Sequence, residues 1–210
     1  MRDDAPAVVE RWIEADGLRF RYVETGRGAP LIHLCGEGGL RLTPAHELLS
    51  RHFRVVVFDA PDPGQTPELA ATVTRAIGAL SLGPFNLMGT SSSAGTAVGV
   101  ALRESAGVTA LVLEAPTTIR PEARDVELER RLAELTTPTL VLLGTEDTVV
   151  PSAAGRIYKE KLPAGHLVFV YGAGHAISID RPEAFAEVVV DFLERREAFV
   201  ISRATTLINP

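Results

Sequence analysis

Apolar positions along the chain follow two alternating periods. Short runs rich in β-branched and aromatic residues stand at 18–23, 30–34, 54–58, 85–88, 108–113, 139–143 and 167–170. The central runs are apolar nearly throughout, which is how strands covered on both faces of a parallel sheet read. Between them the period is helical. Thr66-Pro67-Glu68 opens one helix with an N-cap, a proline at the first position and an early acid. Leu69, Val73, Ile77 and Leu80 keep its apolar spacing, and Gly83-Pro84 stops it. Thr43-Pro44 opens another in the same way, and Leu128, Leu132 and Leu135 mark an amphipathic segment. For the last helix Asp180 is the expected cap, with Glu183 completing a capping-box exchange, and Phe185, Val188, Val189, Phe192 and Leu193 form one apolar stripe.

Residues 8–23 read as antiparallel strands, and the tail after Phe199 as extended. Strands alternating with helices predict an α/β fold: a mostly parallel central sheet with helices on both faces. No repeat and no linker-like stretch divides the chain, so residues 1–210 read as a single domain.

Composition narrows the function. With 46% hydrophobic and 23% charged residues, the chain can bury a large core and is not globally disordered. The 27 acidic against 21 basic residues argue against a nucleic-acid or anionic-membrane surface. Cys35 is the one cysteine, so neither an internal disulfide nor a multi-cysteine metal site can form. No signal peptide or membrane span is visible, and the expected setting is soluble and cytoplasmic.

Ligands of such a sheet bind at the carboxyl ends of its strands, so the residues following each strand carry the candidate chemistry. After the run at 85–88 comes Gly89-Thr90-Ser91-Ser92-Ser93-Ala94-Gly95, then a helix of small residues. A strand, a tight turn centred on a serine and a helix make the setting of a nucleophile elbow, whose helix N-terminus favours a developing oxyanion. A plain serine- and glycine-rich loop reads the same way. Asp147 follows the run at 139–143; a turn or capping role is its alternative. His175 sits between glycines in a loop past the run at 167–170. Of the other histidines, His33 is expected in the core of a strand, and His46, His52 and His166 at the surface. A serine hydroxyl needs an imidazole base, and the base needs a carboxylate to fix its tautomer. Serine, aspartate and histidine, each at a strand end, stand here in the chain order of the α/β-hydrolase triad.

On these residues the chain resembles the α/β-hydrolase superfamily, of the esterase and C–C-bond hydrolase type. The likeness runs through Asp16-Gly17-Leu18, the Leu31 to Gly39 loop strand, Val56-Val57-Phe58-Asp59-Ala60-Pro61, the elbow, and the acid and histidine loops. The resemblance implies Ser91 as nucleophile, His175 as base and then acid, and Asp147 as its orienting acid. It also implies an oxyanion hole from the backbone N–H groups of Ser92 and Glu37, no metal or organic cofactor, and a small ester-like substrate. Only 114–138 lie where many relatives carry a helical cap, so the cap is expected to be reduced or absent.

Three positions depart from the family pattern. Ser93 replaces the usual glycine two residues past the nucleophile, and a shifted elbow would make Ser93 itself the nucleophile. Cys35 stands where a histidine opens the oxyanion loop, as a buried filler or as a redox-sensitive thiol. Glu37 is unusual in that loop and is expected to point to solvent. Glu114, at a strand end, is an alternative acid or an ordinary polar residue. Beside the acyl-enzyme ester, thioester or lactone hydrolase stand two other readings: a C–C-bond hydrolase or lyase, and a non-catalytic binding protein on the same fold. The sequence leaves the oligomeric state open.

Overall fold

The structure is a computed structural model of the chain and describes residues 9–36, 39–59, 67–105, 107–120 and 123–199. The Thr66 cap, Ala60-Pro61, Glu37 and the tail after Phe199 lie outside the described residues.

Two strands open it, β1 (Val9–Ala15) and β2 (Leu18–Thr25), joined by Asp16-Gly17 with both residues at positive φ. Then come β3 (Ala29–Leu34), α1 (Pro44–Leu49), β4 (Phe53–Asp59), α2 (Pro67–Ala79), β5 (Phe85–Thr90), α3 (Ser93–Arg103) and β6 (Val108–Glu114). A two-residue hairpin, β7 (Ile119–Arg120) and β8 (Ala123–Arg124), precedes α4 (Val126–Leu132). The chain continues through β9 (Thr139–Gly144), α5 (Ser152–Lys161), β10 (Gly165–Val170), the short α6 (Ile177–Asp180) and α7 (Pro182–Arg195).

Eight strands form one sheet in the order β1-β2-β4-β3-β5-β6-β9-β10. Pairing is antiparallel at β1–β2 and β2–β4 and parallel everywhere else, so β2 alone runs against the rest. Successive strand residues serve opposite layers, as the period of two requires. Ile32, Leu34, Val56, Phe58, Leu111 and Leu113 pack with α2 and α3. Leu31, Val55, Val57, Ala110 and Val112 pack with α1 and α7. Phe185, Val189, Phe192 and Leu193 of α7 are buried, and each contributes roughly 1.5–3 kcal/mol by leaving water. This is the α/β-hydrolase fold expected from the sequence, and the small β7–β8 hairpin and α4 stand where a cap would be inserted. Among the described residues no helix is long and apolar enough to cross a membrane.

Two local readings are corrected, and one helix was not expected. Asp180 does not cap α7: Pro182 takes the first helical position behind Arg181, and the Asp180 carboxylate accepts from the Gly174 N–H at 2.8 Å. His46 is not on the surface but 2% exposed, on the inner side of α1 beside Ala45 and Leu49. Helix α5 has no counterpart in the apolar pattern, because its inner face is made of Ala154, Gly155 and Tyr158.

Candidate active site

The turn after β5 is forced into its shape. Ser91 has φ +54°, a left-handed conformation that costs a non-glycine residue on the order of 1–2 kcal/mol. It is held there by its N–H donating to the Glu114 carbonyl at 2.9 Å and by its carbonyl accepting from the Thr117 N–H at 3.3 Å. The strand and α3 pack closely behind it: a Cβ on Gly89 would stand 2.7 Å from the Ala97 Cβ and 2.9 Å from the Ser93 carbonyl oxygen. Gly36 is equally constrained, since a Cβ there would lie 2.7 Å from the Thr90 carbonyl oxygen and 3.0 Å from the Ser91 Cβ. The loop after β3 therefore lies directly against the turn.

The structure brings Ser91, His175 and Asp147 together. The Ser91 Oγ is 2.9 Å from His175 Nε2, and His175 Nδ1 is 2.9 Å from Asp147 Oδ2. The Asp147 side chain is fully buried, and its Oδ1 accepts from the N–H groups of Val149 and Val150 at 2.7 and 2.9 Å. Asp147 thus serves its own turn with one oxygen and faces the imidazole with the other. An acceptor at Nδ1 places the proton there and leaves Nε2 free to accept from Ser91. The two loops brace each other: Glu146 N–H donates to the Ala173 carbonyl at 2.9 Å, and Gly172 N–H to Thr145 Oγ1 at 3.0 Å.

Ser92 takes the N-cap position of α3, so its N–H belongs to the group of donors that a helix leaves unsatisfied. Glu37, the other expected oxyanion donor, lies outside the described residues. Ser93 is occupied elsewhere: its hydroxyl donates to the Cys35 carbonyl and ties α3 to the loop after β3. Cys35 is buried, and burial pushes its thiol up to about 11, which suits a filler and not a redox-active thiolate.

Behind the turn runs a hydrogen-bonded chain that the sequence did not reveal. Thr43 N–H donates to His46 Nδ1 at 2.8 Å, so the His46 proton is on Nε2, which donates to His33 Nδ1 at 2.7 Å. His33 Nε2 then donates to Thr90 Oγ1 at 2.7 Å, and the Thr90 hydroxyl to Glu114 Oε2 at 2.8 Å. The other Glu114 oxygen accepts from the Ser178 N–H at 2.7 Å. Glu114 is neither an ordinary strand-end residue nor the acid of His175. It is completely buried; burial pushes its pKa up, and the Ser178 and Thr90 donors oppose that. Burial also lowers both histidines, His46 to about 4, with the neighbouring ring adding to the effect at His33.

Ser91 and His175 line a pocket of about 380 Å³ that also includes Arg41, Glu114, Thr117 and Arg120. Arg41, Arg120 and the chain through His46 are the groups that sequence reading overlooked. The signal for Arg120 was available, since it follows a central strand by six residues.

Residues 110–198 match the family model described as TAP-like protein. A hydrolase of 2-hydroxy-6-oxo-6-(2'-aminophenyl)hexa-2,4-dienoic acid from Metapseudomonas resinovorans is 24% identical, over 90% of this chain and 92% of its own. A pimeloyl-[acyl-carrier protein] methyl ester esterase from Aeromonas salmonicida is 38% identical over a shorter stretch, 33% of this chain and 27% of its own. The solved carboxylesterase CesB from Bacillus subtilis superposes with a TM-score of 0.76 at 17% identity, covering 89% of this chain and 92% of its own. Sheet order and strand-end loops give the chain the α/β-hydrolase fold, and in sequence and structure it is similar to hydrolases of that superfamily.

Proposed function

We propose that the protein is a serine hydrolase that cleaves carboxylic esters, or the related thioesters and lactones, through an acyl-enzyme. The observation carrying this reading is the continuous Ser91–His175–Asp147 hydrogen-bonded chain, with both links at 2.9 Å and the serine on a strained turn. His175 Nε2 takes the Ser91 proton as Oγ bonds to the acyl carbon. The Ser92 N–H, with the Glu37 N–H as the second donor implied by the resemblance, stabilises the oxyanion. The tetrahedral intermediate collapses, the C–O bond to the leaving group breaks, and His175 gives its proton to the departing alcohol. Water then attacks the acyl-enzyme with His175 as base again, releasing the acid and restoring Ser91.

Asp147 fixes the imidazole tautomer and balances its transient charge. The relatives named above act on a methyl ester and on a dienoic acid, and the ester reading fits the small hairpin in place of a cap. The test is hydrolysis of p-nitrophenyl acetate and butyrate by the wild type and by Ser91→Ala. Turnover that falls by roughly 10³-fold or more in the variant is expected; equal turnover by the two proteins overturns the reading.

A further inference from the structure

Arg120 stands out within the pocket. Its Nε is buried without a hydrogen-bond partner among the described residues, and the guanidinium it belongs to is always charged. A buried donor on a cation wants an anionic acceptor, and among the described residues the acids of the site are taken. Asp147 is held by Val149, Val150 and His175, and Glu114 by Thr90 and Ser178. Arg41, exposed at the mouth of the same pocket, forms no ion pair among the described residues either.

The backbone carrying Arg120 is tied to the nucleophile. Ser91 is bonded on one side to Glu114 and on the other to Thr117. Beyond that, Thr118 Oγ1 is 3.1 Å from the buried Tyr158 hydroxyl, and Ile119 is fully buried. The Arg120 backbone therefore keeps a fixed place relative to Ser91, and its side chain lines the same pocket.

Resting on the hydrolase reading above, we infer that the acyl group of the substrate carries a carboxylate, and that Arg120 binds it with Arg41 adding attraction at the pocket mouth. The substrate class is then the monoester of a short dicarboxylic acid, a size that suits a pocket of about 380 Å³. A guanidinium paired with a carboxylate in a partly dry site gives strong, directional hydrogen bonds. Arg120 is a specificity-determining residue in this account and takes no part in bond breaking.

The experiment compares kcat/KM for monomethyl succinate and for its neutral counterpart methyl 4-methylpentanoate, by methanol release, in the wild type, Arg120→Met and Arg120→Lys. The wild type is expected to prefer the anionic ester by at least about 10-fold, and Arg120→Met to lower that ratio by roughly 10- to 100-fold, with Arg120→Lys between them. The preference should also weaken as salt is raised. A wild-type ratio of one or below overturns the inference, whether or not the variants fold. So does an unchanged ratio in a folded Arg120→Met. Cleavage of p-nitrophenyl butyrate without the anionic preference removes the inference and leaves the hydrolase reading standing. If no ester of either set is cleaved, the hydrolase reading fails and the inference with it.

Discussion

Acidification should destabilise the protein through His46, and the size of the effect follows from the site. The ring is 2% exposed, and each nitrogen already has a partner: Thr43 N–H donates to Nδ1, and Nε2 donates to His33. A second proton on Nδ1 would point at that Thr43 donor, and burial lowers the His46 pKa from 6.5 to about 4. In the unfolded chain the same ring titrates at about 6.5. Above pH 6.5 neither state is protonated, and His46 contributes nothing to the pH dependence. Between about 6.5 and 4 the unfolded chain binds a proton that the folded protein refuses, so stability falls as pH falls. At about 1.36 kcal/mol per pH unit the full loss is about 3 kcal/mol, most of it reached by pH 4.5. His33, also lowered by burial, acts in the same direction.

Urea unfolding followed by far-ultraviolet circular dichroism at pH 7.5 and 4.5, on the wild type and His46→Gln, isolates the effect. Groups not in contact with residue 46 cancel in the double difference, and His33, bonded to His46, is the one coupled group among those described. The wild type is expected to lose about 2.5 kcal/mol more than His46→Gln between the two pH values. Equal losses would refute the argument that His46 is held neutral inside the fold.

Gly36→Ala places a methyl 2.7 Å from the Thr90 carbonyl oxygen and so pushes on the Ser91 turn. It should lower stability by about 1–3 kcal/mol in a melt and reduce ester turnover more than tenfold. Ser91→Gly relieves the positive φ and should unfold at higher urea than Ser91→Ala, by about 1 kcal/mol. Asp147→Asn can still accept from Val149 and Val150 with its oxygen, but it turns an amide donor toward His175 Nδ1. The tautomer reverses, and kcat should fall by roughly 10³-fold or more while the melting temperature stays near that of the wild type.

The parallel sheet was legible because its strands are apolar on both faces and its helices punctuated by proline and glycine. Residues 54–58 and 139–143, for example, read as buried strands and lie in β4 and β9. Helix α5 was not legible, since small residues on its inner face leave no apolar stripe. The hairpin at Ile119–Arg120 and Ala123–Arg124 is too short for a period of two to register.

At the site, Ser91, Asp147 and His175 could be picked out because each follows a strand. What sequence could not supply was the company that polar groups keep. His33 read as a satisfied core residue, and a buried imidazole needs a partner for each nitrogen. That requirement alone does not say the partner is His46 on a different element, 13 residues away. Asp180 looked like a helix cap because local spacing allows it, and the fold gave it to Gly174 instead.

The central claim is that Ser91 is a nucleophile activated by His175. Labelling the folded protein with a fluorophosphonate, followed by mass spectrometry of the tryptic peptide spanning 76–103, tests it without knowledge of the substrate. The account predicts a label on Ser91 that is absent in Ser91→Ala and lost in His175→Ala. A label on Ser93, or folded wild-type protein that takes no label, would contradict it.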